Sequence, residues 1–106
     1  MKNDGIFSLL GLAAKAGKAK SGEFLVERTV KDHKAFAVII ATDCSESSKK
    51  SYRDMCSYYK VPLFEYGTKE ELGHCIGKEF RAAVAIDDEG FSKGIIKKLA
   101  TREENK

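Results

Sequence analysis

The amino-acid sequence predicts an α/β protein, organised as a three-layer α/β/α sandwich around a four-stranded mixed sheet. Amphipathic segments of helical length alternate with short apolar segments of strand length, and the connections between them are short. The run AFAVIIA at residues 35–41 is continuously apolar, as expected of a strand buried on both faces. With 106 residues, the chain has the size of one domain, which we expect to span residues 1–100. The tail, residues 101–106, carries no apolar anchor and is expected to be frayed.

The first element is predicted to be an amphipathic helix from Gly5 to Ala16, with Gly17 as a left-handed stop. An apolar stretch near an N-terminus can also belong to a secretory signal. That interpretation is disfavoured because apolar residues recur at helical spacing on one face, namely Ile6, Leu9, Leu10 and Ala13.

A short strand over residues 18–21 then leads into a second helix from Gly22 to His33. Ser21 is the expected N-cap, and Glu23 is a favourable anion in the first turn. The apolar face of this helix is predicted to contain Val26, Thr29, Val30 and His33.

The remaining elements alternate in the same way. A helix over residues 47–59 is followed by a strand whose Pro62 belongs near its start or on a sheet edge. Thr68 opens a capping box, and the helix that follows ends at Gly77. A strand over residues 81–86 and a helix over residues 90–100 complete the predicted fold.

Composition narrows the class of protein. Apolar residues make up 42% and charged residues 33% of the chain, which is typical of a soluble globular protein. The three cysteines are odd in number and widely spaced, which favours reduced thiols in a cytoplasmic protein over disulfides. The net charge of +3 is only mildly basic, so the distribution of charge is more informative than its total.

No motif in the sequence predicts catalysis, a cofactor or a metal site. GLAAKAGKA at residues 11–19 departs from the spacing of a phosphate-binding P-loop and has a helical pattern. The histidines and cysteines lack zinc-ligand spacing, and the S-x-x-K at residues 47–50 lacks the companion motifs of an acyl-transfer site. The acidic run at residues 87–89 is better explained as favourable charge at a helix N-terminus than as a cation site.

Two segments combine an aromatic ring with basic residues. On the second helix, Phe24 lies almost opposite the apolar face and shares the exposed side with Arg28 and Lys31. Lys18 and Lys20 precede this helix, whose free first-turn amides can bind an anion. Phe24 can alternatively fold over the helix entrance as a hydrophobic staple.

The loop before the last strand repeats this combination, with Phe80 between Lys78 and Arg81. In a sandwich whose helices run back along the strands, this loop is expected to lie beside the start of the second helix.

The chain resembles the ribosomal-protein L7Ae/L30e family of kink-turn RNA-binding proteins, and within it the small bacterial YlxQ-like branch. The resemblance covers nearly the whole chain and rests on the segments SGEFLVERTVKDHKAFAVIIATD, YKVPLF and TKEELGHCIGKEFRAAVAI. It implies an α/β/α sandwich that grips a sharply bent RNA internal loop at two places, the N-terminus of helix two and the loop before the last strand.

The resemblance also assigns positions in the family's helix-two signature. Gly22 matches the signature glycine, and Arg28 is similar to its lysine. Phe24 and Leu25 stand where the family has the asparagine and glutamate that it uses on the sheared G·A pairs of the kink. Recognition is therefore expected to rest on Arg28, which can donate to guanine O6 and N7, and on backbone groups. Phe80 corresponds to the apolar surface that the family places against extruded nucleotides.

We therefore expect a non-enzymatic cytoplasmic monomer that binds a kinked or internally looped RNA, with ribosomal RNA, another stable RNA or the ribosome as partner. No cofactor, metal or membrane is expected. The predicted RNA-binding residues are Lys20, Ser21, Gly22, Phe24, Leu25, Arg28, Lys31, Lys78, Glu79, Phe80 and Arg81. If four or five phosphates are neutralised, log affinity should fall against log salt with a slope of roughly −3 to −4.5.

Two other function classes stay open at this point. On the same fold, Phe24, Leu25 and Phe80 can form an apolar patch that docks a protein, with the lysines serving solubility. The third class is an enzyme without a recognisable motif.

Overall fold

The computed structural model describes residues 5–104, over which five helices and four strands alternate. The helices are α1 (Ile6–Lys15), α2 (Glu23–Lys31), α3 (Glu46–Tyr59), α4 (Lys69–Cys75) and α5 (Glu89–Glu104). The strands are β1 (Ala19–Ser21), β2 (Ala37–Ile40), β3 (Leu63–Glu65) and β4 (Ala83–Ile86). The predicted α/β class with a four-stranded sheet is confirmed.

The sheet is mixed and has the strand order β1-β4-β2-β3. Strand β4 pairs antiparallel with both β1 and β2, whereas β3 pairs parallel with β2. All residues of β2 and β4 are buried, which explains why these two strands have continuous apolar sequences. Pro62 directly precedes the edge strand β3, as predicted.

Helices cover both faces of the sheet and give the predicted three layers. On one face, α1, α4 and α5 bury a core that includes Ile6, Leu10, Leu72, Ile95 and Leu99 against Ile39, Val84 and Ile86. On the other face, α2 and α3 bury Val26, Val30, Tyr52 and Cys56 against Val38, Ile40 and Ala85. Successive residues of β2 and β4 thus pack alternately into the core on one face of the sheet and the core on the other, because successive side chains of a strand point to opposite faces.

Two predicted details at the ends of α2 are wrong. The N-cap is Gly22 and not Ser21, and no side chain caps this helix. Ser21 stays in β1, because that strand pairs with β4 up to Ser21 opposite Val84. His33 is exposed and not on the apolar face, because α2 ends at Lys31 and His33 adopts a left-handed φ of 60°.

The C-terminal helix is longer than predicted. It continues to Glu104, four residues past the expected end at residue 100. Residues 105 and 106 lie outside the described part of the chain, so the frayed tail stays a prediction. None of the helices described between residues 5 and 104 is long and apolar enough to cross a membrane.

Candidate nucleic-acid interface

The start of α2 lies beside the loop that precedes β4. Strand β1 runs antiparallel to β4 with Ser21 opposite Val84, and the N–H of Gly22 donates to the carbonyl of Ala83 over 3.1 Å. The chain therefore enters α2 from β1, whose neighbour β4 begins at Ala83, shortly after the 77–81 loop. The structure thus brings together the two aromatic and basic segments, which are about sixty residues apart in the sequence.

Gly22 makes the sharp entry into α2 possible. Its φ of 94° and ψ of 152° lie in a region that only glycine occupies without strain. Since no side chain caps the helix, the amides of Glu23, Phe24 and Leu25 have no acceptor within it. Together with the positive end of the helix dipole, these amides form a place where a phosphate oxygen can be bound.

Both segments of the site, the start of α2 and the loop before β4, have exposed apolar side chains. The exposed fraction is 70% for Phe24, 46% for Leu25 and 61% for Phe80. Phe24 is therefore not folded back as a buried staple over the helix entrance. Its ring is available to a ligand, as is that of Phe80.

The loop that carries Phe80 is held firmly against α4. The N–H of Lys78 donates to the carbonyl of Gly73 over 2.8 Å, and the N–H of Arg81 donates to the carbonyl of Lys69 over 3.1 Å. At Gly73 a Cβ atom would lie 2.4 Å from the carbonyl oxygen of Glu79, so only glycine allows this close approach. Sequence reasoning missed Gly73, because a glycine inside a short helix gives no local sign of what packs on it.

Arg81 joins the two segments of the site. Its Nε–H donates to the hydroxyl of Ser21 over 3.1 Å, and its Nη1 donates to the carbonyl of Phe80 over 2.7 Å. The guanidinium is partly buried and fixes both the β1–α2 connection and the backbone of Phe80. Ser21 and Arg81, both predicted as RNA contacts, are thus bonded to one another.

Lys20 also has internal partners. Its Nζ donates to the carbonyl of Gly17 over 2.9 Å and lies 3.6 Å from Oδ2 of Asp87. In the sequence, Asp87 is the first residue of the acidic run 87–89. In the structure its side chain is mostly buried and partly neutralises Lys20.

The two cations of α2 are paired along the helix. Arg28 Nε lies 3.9 Å from Oδ2 of Asp32, and Lys31 Nζ donates to Oε2 of Glu27 over 2.7 Å. The hydrogen bond to Glu27 and the charge of that carboxylate raise the pKa of Lys31. Exposed pairs of this kind contribute little free energy, so both cations can exchange a carboxylate for a phosphate.

Within residues 5–104, Lys78 and Arg81 have no ion-pair partner, and Glu79 is exposed between Lys78 and Phe80. Since Lys20, Arg28 and Lys31 are paired with carboxylates, the site is less basic than the sequence predicts. The groups most available to a ligand are the exposed rings of Phe24 and Phe80 and the backbone amides at the start of α2. In the same part of the chain, no group of three or more acidic, histidine or cysteine side chains is arranged to hold a metal ion. The arrangement suits binding of a ligand that combines flat rings with phosphates.

Comparison with known proteins gives a consistent result. Residues 4–96 match the "Ribosomal protein L7Ae/L30e/S12e/Gadd45 family". The chain is 42% identical over 93 residues to the RNA-binding protein YlxQ of Bacillus subtilis (strain 168), covering 88% of this chain and 93% of that one. A solved Bacillus halodurans protein of unknown function superimposes with a TM-score of 0.86 at 34% identity, covering 90% of this chain and 96% of the other. The Giardia lamblia 15.5kD RNA binding protein has the same fold, with a TM-score of 0.76 at 20% identity, covering 93% and 85% of the two chains.

Proposed function

Because the chain belongs to the ribosomal protein L7Ae/L30e/S12e/Gadd45 family, we propose that it is a cytoplasmic, monomeric RNA-binding protein whose single domain spans residues 1–100. The predicted YlxQ-like branch and the prediction of a non-enzymatic protein are confirmed by the family and the Bacillus subtilis relative. Its ligand is a kinked or internally looped RNA, either ribosomal RNA or another stable RNA. The RNA-binding residues are those of the start of α2 and of the 77–81 loop.

One observation carries this proposal. Two exposed phenyl rings, Phe24 and Phe80, flank a helix start whose amides lack acceptors, and the Arg81–Ser21 hydrogen bond holds the two sides together. Unstacked bases of an internal loop can pack on such rings, whereas the bases of a continuous duplex are stacked inside it. The arrangement therefore favours a bent or looped RNA over a straight one.

Each part of the site has a role in the proposed complex. The amide N–H groups after Gly22 donate to a phosphate oxygen, and Phe24 and Phe80 pack on extruded bases. Arg28 is 68% exposed and its pairing with Asp32 is long, so its fork is available to guanine O6 and N7. Leu25 lacks hydrogen-bonding groups, as does Phe24, so recognition of the kink depends on stacking and backbone contacts instead of polar contacts from these two positions.

Calorimetric titration with a kink-turn RNA and with a straight duplex of the same composition tests the proposal. We expect clearly tighter binding of the kink-turn RNA, and a large loss of that preference in the Phe24→Ala, Arg28→Ala double variant. Leu12→Ala is the matched control, because Leu12 is also an exposed apolar residue, at 54%, but lies on α1. Equal weak binding of both RNAs would overturn shape-specific recognition, and tight binding that survives the double variant would mean the site lies elsewhere.

A protein-docking surface made of Phe24, Leu25 and Phe80 is the second candidate, favoured by the exposure of all three side chains. Salt separates the two candidates, because phosphate contacts weaken steeply with salt and apolar contacts do not. Absence of any RNA binding at low salt would leave the protein-docking function as the better explanation.

A further inference from the structure

A cluster of three rings lies at the C-terminal ends of α2 and α3. The ring centroids of Tyr58 and Tyr59 are 4.9 Å apart at an interplanar angle of 76°, and those of Tyr59 and His33 are 5.5 Å apart at 65°. We call these three residues the aromatic cluster. Tyr58 is 78% exposed, the highest fraction among the large hydrophobic residues of the described chain, whereas Tyr59 packs on the core beneath it.

The aromatic cluster lies at the opposite end of α2 from Phe24. The start of α2 is tied to the beginning of β4 through the Gly22–Ala83 hydrogen bond. Past the other end of α2, the N–H of Phe36 donates to the carbonyl of Ile86, the last residue of β4. Nine helical residues at 1.5 Å each place the two ends of α2 about 13 Å apart along its axis.

Backbone strain coincides with the aromatic cluster. Within residues 5–104, two non-glycine residues have a positive φ, namely His33 at 60° and Lys60 at 61°. His33 belongs to the cluster, and Lys60 follows Tyr59 directly. Glycine is the ordinary residue at such helix ends. Side chains kept in a strained backbone are typical of positions where the side chain itself is needed.

The charge around the aromatic cluster is positive. Lys34 and Lys60 have no ion-pair partner among the described residues. The carboxylates nearest the cluster along the two helices are already engaged, Asp32 by Arg28 and Asp54, one turn before Tyr58, by Lys50. A flat, exposed ring beside unpaired cations matches a ligand that alternates flat bases with phosphates, and it does not require the ligand to be bent.

We propose that the aromatic cluster is a second nucleic-acid surface that binds single-stranded RNA. A base stacks on the exposed face of Tyr58, which is held in an edge-on contact with Tyr59, and Tyr59 in turn contacts His33. Lys34 and Lys60 contact the flanking phosphates. Stacking of this kind tolerates any base, so this surface takes unpaired RNA irrespective of sequence. It stands independently of the surface around Phe24.

Fluorine NMR of the full chain labelled with 3-fluorotyrosine tests this proposal, because the sequence contains only four tyrosines. The probe is a ten-nucleotide oligouridylate, which contains no internal loop. We expect the Tyr58 and Tyr59 resonances to shift on titration, while those of the buried Tyr52 and Tyr66 stay in place.

A Tyr58 resonance that does not shift, or that shifts equally with inorganic polyphosphate, would overturn base stacking. A shift that depends on protein concentration without RNA would indicate self-association and also overturn it.

Variants make the result specific. Tyr58→Ala should weaken oligouridylate binding by about five-fold or more, and Tyr58→Phe should bind like the parent because the ring remains. Tyr58 is highly exposed, so neither variant should affect folding. Phe24→Ala should leave the shift of Tyr58 unchanged. If Phe24→Ala abolishes that shift, the second surface does not exist, whatever the outcome with kink-turn RNA.

Discussion

The Nε–H of Arg81 donates to the Ser21 hydroxyl over 3.1 Å and so joins two residues that are 60 positions apart in the chain. Ser21 precedes the glycine that opens α2, and Arg81 follows Phe80 in the loop before β4. Together with the pairing of β1 and β4, this hydrogen bond therefore fixes the two halves of the proposed RNA site relative to one another. Arg81 acts here first as a positioning residue, and its remaining donors can still reach a phosphate.

A double-mutant cycle tests this positioning role. Arg81→Lys keeps the positive charge but removes the Nε donor, and Ser21→Ala removes the acceptor. We expect both single variants to lose affinity for kink-turn RNA and the double variant to lose less than their sum, with a coupling of about 0.5–1.5 kcal/mol. Isothermal titration calorimetry measures the three losses. Strictly additive losses would show that Arg81 binds RNA without acting through Ser21.

Gly73→Ala tests the packing beneath the 77–81 loop. The new Cβ would lie 2.4 Å from the carbonyl oxygen of Glu79, so the loop must move away. We expect a loss of about 1–3 kcal/mol in the free energy of unfolding, as is usual for overpacking, together with weaker RNA binding. Urea denaturation and calorimetry measure the two effects.

Gly94→Ala is the control for that substitution. A Cβ at Gly94 would make an ordinary 3.5 Å contact with Leu9, and the residue lies inside α5. We expect it to leave RNA binding unchanged and to raise stability slightly, because alanine is the better helix former. If Gly73→Ala behaved like Gly94→Ala, the loop would not depend on that close approach.

Burial of Cys56 predicts a loss of stability at alkaline pH. Desolvation raises the pKa of this thiol, which is 1% exposed, from 9.0 to about 11. The folded state therefore holds the thiol proton more tightly than the unfolded state. This stabilisation is complete below pH 9 and is lost as the pH rises through 11. Between pH 8 and 10.5, we expect Cys56 to account for about 2 kcal/mol of the decrease in the free energy of unfolding.

Urea denaturation of the parent and of Cys56→Ala at these two pH values isolates that contribution. The variant should be less stable at pH 8 because of the cavity it leaves, but its stability should fall less on going to pH 10.5. Parallel decreases in both proteins would mean that this thiol has an ordinary pKa.

The ion pairs of the site change the expected salt dependence of RNA binding. Lys20, Arg28 and Lys31 each have a carboxylate within 4.0 Å, whereas Lys78 and Arg81 have none within the described residues. Two unpaired cations predict a slope of log affinity against log salt of about −1.8, and all five predict about −4.5. Because the exposed pairs of Arg28 and Lys31 can open to a phosphate, we expect a value between these two limits.

Asp32→Asn provides the matched variant, because it removes the carboxylate that pairs with Arg28. It should steepen the slope by at most about 0.9, the value of one full phosphate contact. Affinities at four salt concentrations suffice for the comparison. An unchanged slope would show that Arg28 makes no phosphate contact or that Asp32 does not compete for it.

Most of the fold is predictable from local sequence patterns. The capping box of Thr68 and Glu71, the apolar run of β2 and the stop at Gly17 are all present where the sequence indicates them. The errors at Ser21 and His33 arise where tertiary contacts decide. Pairing with β4 keeps Ser21 in a strand, and the contact with Tyr59 accompanies a left-handed turn at His33.

The site is less predictable than the fold. The pairing of Lys31 with Glu27 and of Arg28 with Asp32 follows from helical spacing and could have been read from the sequence. The contact of Lys20 with Asp87 could not, because it depends on β1 lying next to β4. Non-local strand pairing decides which charges remain free, and no local pattern encodes it.

Backbone amide NMR of the labelled chain, titrated with kink-turn RNA, tests the central claim most directly. We predict that the largest chemical-shift changes occur at the start of α2, from Gly22 to Leu25, and in the loop from Lys78 to Arg81, and that α5 is unaffected. Large changes confined to α1, α5 or the edge strand β3, with residues 22–25 and 78–81 unchanged, would contradict the proposed RNA site.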